Sequence, residues 1–347
     1  MERESPLTPL KRFLNIRGMR PALTAFAGLI IIYVAFGIIN PKVFLLANLM
    51  NLLRSMSKYL LIGIGQSFVL ITGNIDLSIG SVVGMSAMIS ATLMTKGVPV
   101  LLAVLVTLVC CLAVGVINGI LVGKFKLPPF IATLGTMFVA RGVAYMVNNN
   151  RNTDAINSGI GKTAADQVQS FFYYGKTLGI FNTFWIAIVL FVIFFFLLSK
   201  TRTGRHIYAI GSNVDAARLS GVNVEAVTIK TYLVSAFCSF AVGLILCGQA
   251  GMGNMEAGTM YEMYGVAAGV IGGISPLGGT GILLGTLAGA SVWQTLENGL
   301  SMIGAQVGWQ RIVIGVIVTF AVLLDVILRG RGKSLKKYYN EKIMLKK

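Results

Sequence analysis

The chain has 347 residues, 55% of them hydrophobic and 12% charged, with a mean hydropathy of +0.79. Soluble domains carry about a quarter charged residues, so the composition excludes a soluble enzyme or binding domain and specifies an integral membrane protein. The formal charge of +17 does not mark a nucleic-acid binder: the basic residues cluster in the N-terminal tail (Arg3, Lys11, Arg12, Arg17, Arg20), in 200–230 and after Leu328, where they flank apolar runs.

Ten apolar segments follow in chain order, at about 22–39, 59–73, 77–95, 98–122, 128–147, 181–198, 230–249, 263–275, 282–300 and 310–328. The first carries no cleavage signal and is expected to be a retained helix. Twenty of the 29 basic residues then fall on one side and seven on the other, with Arg141 and Arg311 inside spans. This asymmetry predicts that both termini are cytoplasmic. The expected fold is an all-α polytopic membrane protein of about ten helices in a single domain. It comprises a tail (1–21), a membrane domain (22–328) with a cytoplasmic coupling segment (199–230), and a basic tail (329–347).

The segment 44–58, "FLLANLMNLLRSMSK", mixes Leu and Met with Asn, Arg and Ser, and is expected to lie at the outer interface. The span after it offers about fourteen residues, or roughly 21 Å of helix, against about 30 Å of hydrocarbon. "GNIDLS", flanked by Gly73, would then break inside the membrane, where irregular backbone must be buried in protein or line a wet cavity. Asn74 or Asp76 can cap the next helix by accepting from the free N–H groups of 77–79. Three roles stay open for Asp76: a cap holding a bend, contact with a solute, or a place in an ordinary cytoplasmic turn. Asn74, Asp76 and Ser78 are candidates for lining a solute pathway.

The polar loop 148–169 is expected to be extracytoplasmic and solvent-exposed. On the opposite side, 200–230 is the longest hydrophilic interruption. Within it "SNVDAARLSGVNV" reads as a short helix capped by Ser212 or Asn213 and ended by Gly221. A piece this short is marginal alone and must pack on something. A second short apolar segment, 263–274, precedes "SPLGGTG". There Ser275 and Pro276 interrupt the run, and Gly278, Gly279 and Gly281 permit positive-φ turns. Two interrupted apolar segments are a sequence pointer to a transport pathway. Gln294, Glu297 and Asn298, at i, i+3 and i+4, share one helix face that must meet protein or water, as interhelical hydrogen bonds or as solute contacts.

The four cysteines lie in apolar runs, with spacing that fits neither a metal site nor a disulfide. The single histidine, His206, sits in the basic cytoplasmic segment, and there is no Gly-rich phosphate loop. No catalytic residue, metal site or bound cofactor is expected.

"TRTGRHIYAIGSNVDAARLSGVNV", "GNIDLSIGSVVG", "LPPFIATLGTMFVARG" and "VIGGISPLGGTG", over about 44–325, resemble the permease subunits of bacterial ATP-binding-cassette importers for ribose, galactose and related monosaccharides. The resemblance implies a multi-pass protein of the bacterial inner membrane with no enzymatic activity of its own. It implies a permease dimer with itself or a paralogue, a cytoplasmic ATPase subunit that uses the ATP, and an extracytoplasmic sugar-binding protein. It also implies that 204–224, with Gly204, Arg205, Asn213, Ala217, Arg218 and Gly221, docks the ATPase. Two departures stand out: Tyr264 in "YEMYGVAA" replaces the usual Asp, and Glu297 in "ENG" replaces the usual first Asn. The rival expectations are an ion-coupled secondary transporter using Asp76 and a non-transporting scaffold.

Overall fold

The computed structural model describes residues 19–317 and 319–320. Most of the N-terminal tail, the end of the last expected span and the tail 329–347 lie outside the described residues. The chain is a helical bundle whose connections alternate between two ends. Helix α1 (Met19–Ile39) leads through a 3₁₀ turn (Pro41–Phe44) into α2 (Leu46–Ile71), α3 (Ile79–Thr95), α4 (Val100–Gly123) and α5 (Pro129–Met146). Two short helices, α6 (Asn157–Ile160) and α7 (Lys162–Gln169), a π-turn (Ser170–Tyr174) and a small hairpin, β1 (Lys176–Thr177) with β2 (Ile180–Phe181), close one end. Helix α8 (Asn182–Lys200) returns to the opposite end, where α9 (Arg202–Ser212) and α10 (Val214–Leu219) lie. Then follow α11 (Val224–Ala250), α12 (Tyr261–Ile271), α13 (Leu283–Met302) and α14 (Val307–Ile317).

Among the described residues five helices, α1, α4, α5, α8 and α11, are long and apolar enough to cross a membrane. The protein is therefore an all-α polytopic membrane protein. Helices α1, α4 and α8 turn large apolar residues outward, among them Ile31, Leu101, Val109, Val192 and Phe196, as a lipid-facing surface requires. Helix α2 lies at the centre, enclosed by α11, α12, α13 and α8, and its residues Leu60, Leu61, Ile62 and Ile64 are wholly buried.

Two expected boundaries are corrected. The segment 44–58 is not a separate interfacial helix: from Leu46 it forms the first half of α2, a continuous helix about 39 Å long. Its Arg54 is absorbed by rings, with the guanidinium 4.5 Å from the Tyr173 centroid and 4.1 Å from that of Phe181. Helix α11 likewise starts at Val224, inside the stretch expected to be loop, where Asn223 accepts from the Ala226 N–H at 2.9 Å. The loop 148–169 is also more than solvent-exposed chain, because Ile156, Ala165 and Val168 are buried against Ala87, Ala91 and Met94 of α3.

Candidate functional site

Helices α2 and α12 end in the same way. After α2, Gly73 takes φ +79°, its N–H bonds the Leu70 carbonyl at 2.8 Å, and the Asn74 N–H bonds Val69 at 3.2 Å. After α12, Gly273 takes φ +86°, its N–H bonds Val270 at 2.9 Å, and the Ile274 N–H bonds Gly269 at 2.9 Å. Both are Schellman caps, in which a left-handed glycine lets the next two N–H groups satisfy orphan carbonyls.

The two ends meet. The Gly279 N–H donates to the carbonyl of Ile71, the last residue of α2, at 2.8 Å. The loop between is pinched shut by Ser275 N–H to Thr280 O at 3.1 Å and Gly278 N–H to Ser275 O at 3.1 Å, leaving Pro276 and Leu277 exposed. Helix α9 seats on this joint. The Tyr208 hydroxyl donates to Gly281 O at 2.7 Å, and burial pushes its phenol pKa up to about 12, so it is a neutral donor. Gly211 packs so closely that an added Cβ would meet the Ile71 carbonyl and lie 2.5 Å from Gly279 N. Gly73, Ser275, Gly278 and Gly279 are thus gathered under α9, at the bundle end rather than at mid-depth.

Beyond Gly73 the chain turns back into the bundle. Asp76, 2% exposed, accepts from the Ser78 N–H at 2.9 Å, the Ser78 hydroxyl at 2.6 Å and the Ser235 hydroxyl at 2.7 Å. Ser235 is about 17 Å along α11 from its Val224 start, so Asp76 lies within the bundle. It holds Ser78, the N-cap residue of α3, through that residue's N–H and hydroxyl and does not reach the first turn of the helix, whereas Asn74 donates to Thr72 Oγ1 at 3.0 Å. Asn118 of α4 extends the network by donating to Ser78 Oγ at 2.9 Å and accepting from Thr136 of α5 at 2.6 Å. A buried network this complete fixes four chain segments to one another.

The face carrying Gln294, Glu297 and Asn298 does not join that group. Asn298 exchanges amide hydrogen bonds with Asn48 at 3.0 and 3.1 Å, and Glu297 accepts from the Tyr59 hydroxyl at 2.8 Å. Tyr59 stands twelve residues before the end of α2, about 18 Å from the breaks. The six expected pathway residues therefore form two clusters at different depths.

In the α9–α10 segment, Asn213 is the cap of α10, accepting from Ala216 N–H at 2.9 Å, and Gly221 follows at φ +81°. Gly204 and Ala217 are buried, while Arg205 and Arg218 are exposed. Arg218 makes only a loose 3.5 Å pair with Asp215. Leu219 is 90% exposed beside them.

Arg141 was visible in the sequence only as a charge inside an apolar run. Its guanidinium donates to Met255 O and Ala257 O at 2.9 Å and to Gly80 O at 3.2 Å. It thereby ties the turn-rich linker 251–260, of which Gly251, Gly253 and Gly258 are buried, to α3. Tyr145 adds a bond to Glu256 at 2.7 Å. Between this linker, α2 and α11 lies a cavity of about 510 Å³ lined by Lys58, Gln249, Asn254, Glu256, Thr259 and Tyr261, among others. Among the described residues no cluster of His, Cys, Asp or Glu could hold a metal ion.

Two helix ends joined through glycine caps, a buried polar network beside them and a helical pair seated on their junction fit a membrane permease. The family comparison makes this specific: residues 48–322 match the family described as branched-chain amino acid transport system / permease component, and the chain belongs to it. The chain is 37% identical over 325 residues to the ribose import permease protein RbsC of Bacillus subtilis (strain 168), covering 94% of this chain and 98% of that one. It is 34% identical over 297 residues to the RbsC protein of Escherichia coli (strain K12), covering 86% and 91% of the two chains. To the galactose/methyl galactoside import permease protein MglC of the same strain it is 32% identical over 306 residues, covering 85% and 90%. No solved structure matches.

Proposed function

We propose that the chain is the membrane-spanning subunit of an ATP-driven importer for a monosaccharide or related small polar solute. An extracytoplasmic binding protein delivers the solute and a separate cytoplasmic ATPase subunit supplies the energy. In this reading the chain crosses the inner membrane ten times with both termini cytoplasmic, and two permease copies or paralogues enclose the path. The α9–α10 pair faces the ATPase, and Arg205, Arg218 and Leu219 offer it a basic surface with an apolar tip.

The observation that carries the reading is the seat of α9 on the joined ends of α2 and α12, through Tyr208 and Gly211. A push on α9 reaches both helix ends directly and, through residues 72–78, the Asp76 network. Differential contacts of this kind let one subunit bias the conformation of another. An ion-coupled route through Asp76 finds less support, because its carboxylate is fully engaged by Ser78 and Ser235.

Gentle-detergent purification from the native membrane tests this. The chain should bring an ATPase subunit with it, and Arg205→Glu with Arg218→Glu should release that subunit while the permease stays inserted. A permease that purifies alone, with uptake unaffected by both charge reversals, would overturn the proposal.

A further inference from the structure

Four aromatic rings surround Glu297 where α2, α12 and α13 meet. The centroid separations are 4.9 Å for Tyr264–Trp293, 5.5 Å for Tyr261–Tyr264, 5.7 Å for Tyr59–Tyr264, 6.0 Å for Tyr59–Tyr261 and 6.5 Å for Tyr59–Trp293. The pairs are tilted or edge-on, the usual arrangement of rings in mutual contact, with Trp293 9% exposed beneath the half-buried Tyr264. Tyr261, Tyr264 and Glu297 are half-buried, and Tyr261 also lines the 510 Å³ cavity, so the ring cluster adjoins that space. Glu297 spends one oxygen on Tyr59. One turn below, Gln294 is 5% exposed, and its Oε1 has no partner among the described residues. A buried amide left open in this way requires an explanation.

We infer that this cluster is a saccharide station on the transport path. Trp293 and Tyr264 would receive the apolar face of a sugar ring, and Glu297 and Gln294 would accept from its hydroxyls. The chemistry matches what small polar ligands need: aromatic walls with a few placed acceptors. Tyr264 and Glu297 share Tyr59 as a neighbour. The inference rests on the reading of the chain as a sugar importer, and it selects cyclic sugars over acyclic polyols.

The test uses the full chain in nanodiscs with Trp185 and Trp309 replaced by Phe, so that Trp293 is the sole indole. D-ribose, D-galactose and methyl galactoside are titrated, with mannitol as an acyclic polyol, and the same compounds are screened for uptake by the assembled importer in proteoliposomes. A sugar that is taken up should change Trp293 emission saturably, and mannitol should not. Glu297→Gln keeps the shape and should raise the half-saturation concentration about tenfold, the loss of one charge-assisted hydrogen bond. Tyr264→Ala should reduce the preference for rings over mannitol. Uptake of a sugar to which Trp293 gives no saturable response, or equal half-saturation in the parent and both variants, overturns the station and leaves the importer reading intact. No uptake of any sugar overturns both.

Discussion

Gly211→Ala probes the seat of α9 on the joint of α2 and α12. The added methyl would collide with the Ile71 carbonyl and lie 2.5 Å from Gly279 N and 2.9 Å from Ile71 C. All three are main-chain atoms fixed by the Schellman cap and by the Gly279–Ile71 hydrogen bond, so none can swing aside. Helix α9 must lift instead. Overpacking of this kind costs about 1–3 kcal/mol, and lifting α9 also strains the Tyr208–Gly281 hydrogen bond, worth about 0.5–1.5 kcal/mol. The docked arrangement should lose about 2–4 kcal/mol, and since 1.4 kcal/mol is a factor of about ten, ATP-driven uptake should fall at least tenfold. Uptake in proteoliposomes and thermal unfolding in detergent read this out, with membrane insertion monitored separately. Gly135→Ala on the exposed face of α5, where a Cβ meets nothing within 4 Å, is the control and should be silent. A Gly211→Ala protein with parental uptake and stability would refute the argument that α9 transmits force through this contact.

Four other outcomes are expected. Asp76→Ala strips the acceptor from two buried hydroxyls and one N–H and should cost about 2–4 kcal/mol in denaturation; Asp76→Asn, which keeps one acceptor oxygen, should cost clearly less, and equal losses would show that the charge rather than the acceptor geometry matters. Tyr208→Phe should cost about 0.5–1.5 kcal/mol. Because burial holds the phenol proton on in the folded state, the hydroxyl's contribution is present below about pH 10 and lost as pH rises toward about 12, and the variant should lack this alkaline loss in parallel unfolding curves. Arg218→Glu should leave stability unchanged, since its ion pair is exposed and long, but should lower uptake; parental uptake would remove Arg218 from docking. Arg141→Met leaves three carbonyls without their donor, so a reporter cysteine at Thr259, in a background free of the native cysteines, should label faster than in the parent.

The spans with continuous apolar sequence were legible to within a few residues, because lipid contact demands the same chemistry along the whole helix. Helix α2 was not. Its first half carries Asn48, Asn51, Arg54 and Lys58, which read as an interface segment. In the fold Asn48 pairs with Asn298 and Arg54 lies over Tyr173 and Phe181, partners supplied by distant sequence. The glycines marked both helix ends, but nothing local could reveal that Gly279 reaches Ile71 across some two hundred residues. The shared face of Gln294, Glu297 and Asn298 followed from helical spacing alone. What it faces did not, because its partners Asn48 and Tyr59 come from the first half of α2, a cluster separate from that of Asp76. The linker 251–260 fell between two expected spans with no feature of its own, and Arg141 stood out only as a charge within a span; their contact comes from the fold.

The central claim is that ATP hydrolysis in a partner subunit moves solute through this chain by way of α9. Purified permease, ATPase and binding protein, reconstituted together in liposomes, decide it through uptake of labelled ribose or galactose. Uptake should require internal ATP and all three components, and should collapse with Gly211→Ala. Uptake by the permease alone under a proton or sodium gradient, with no dependence on ATP, would contradict the account.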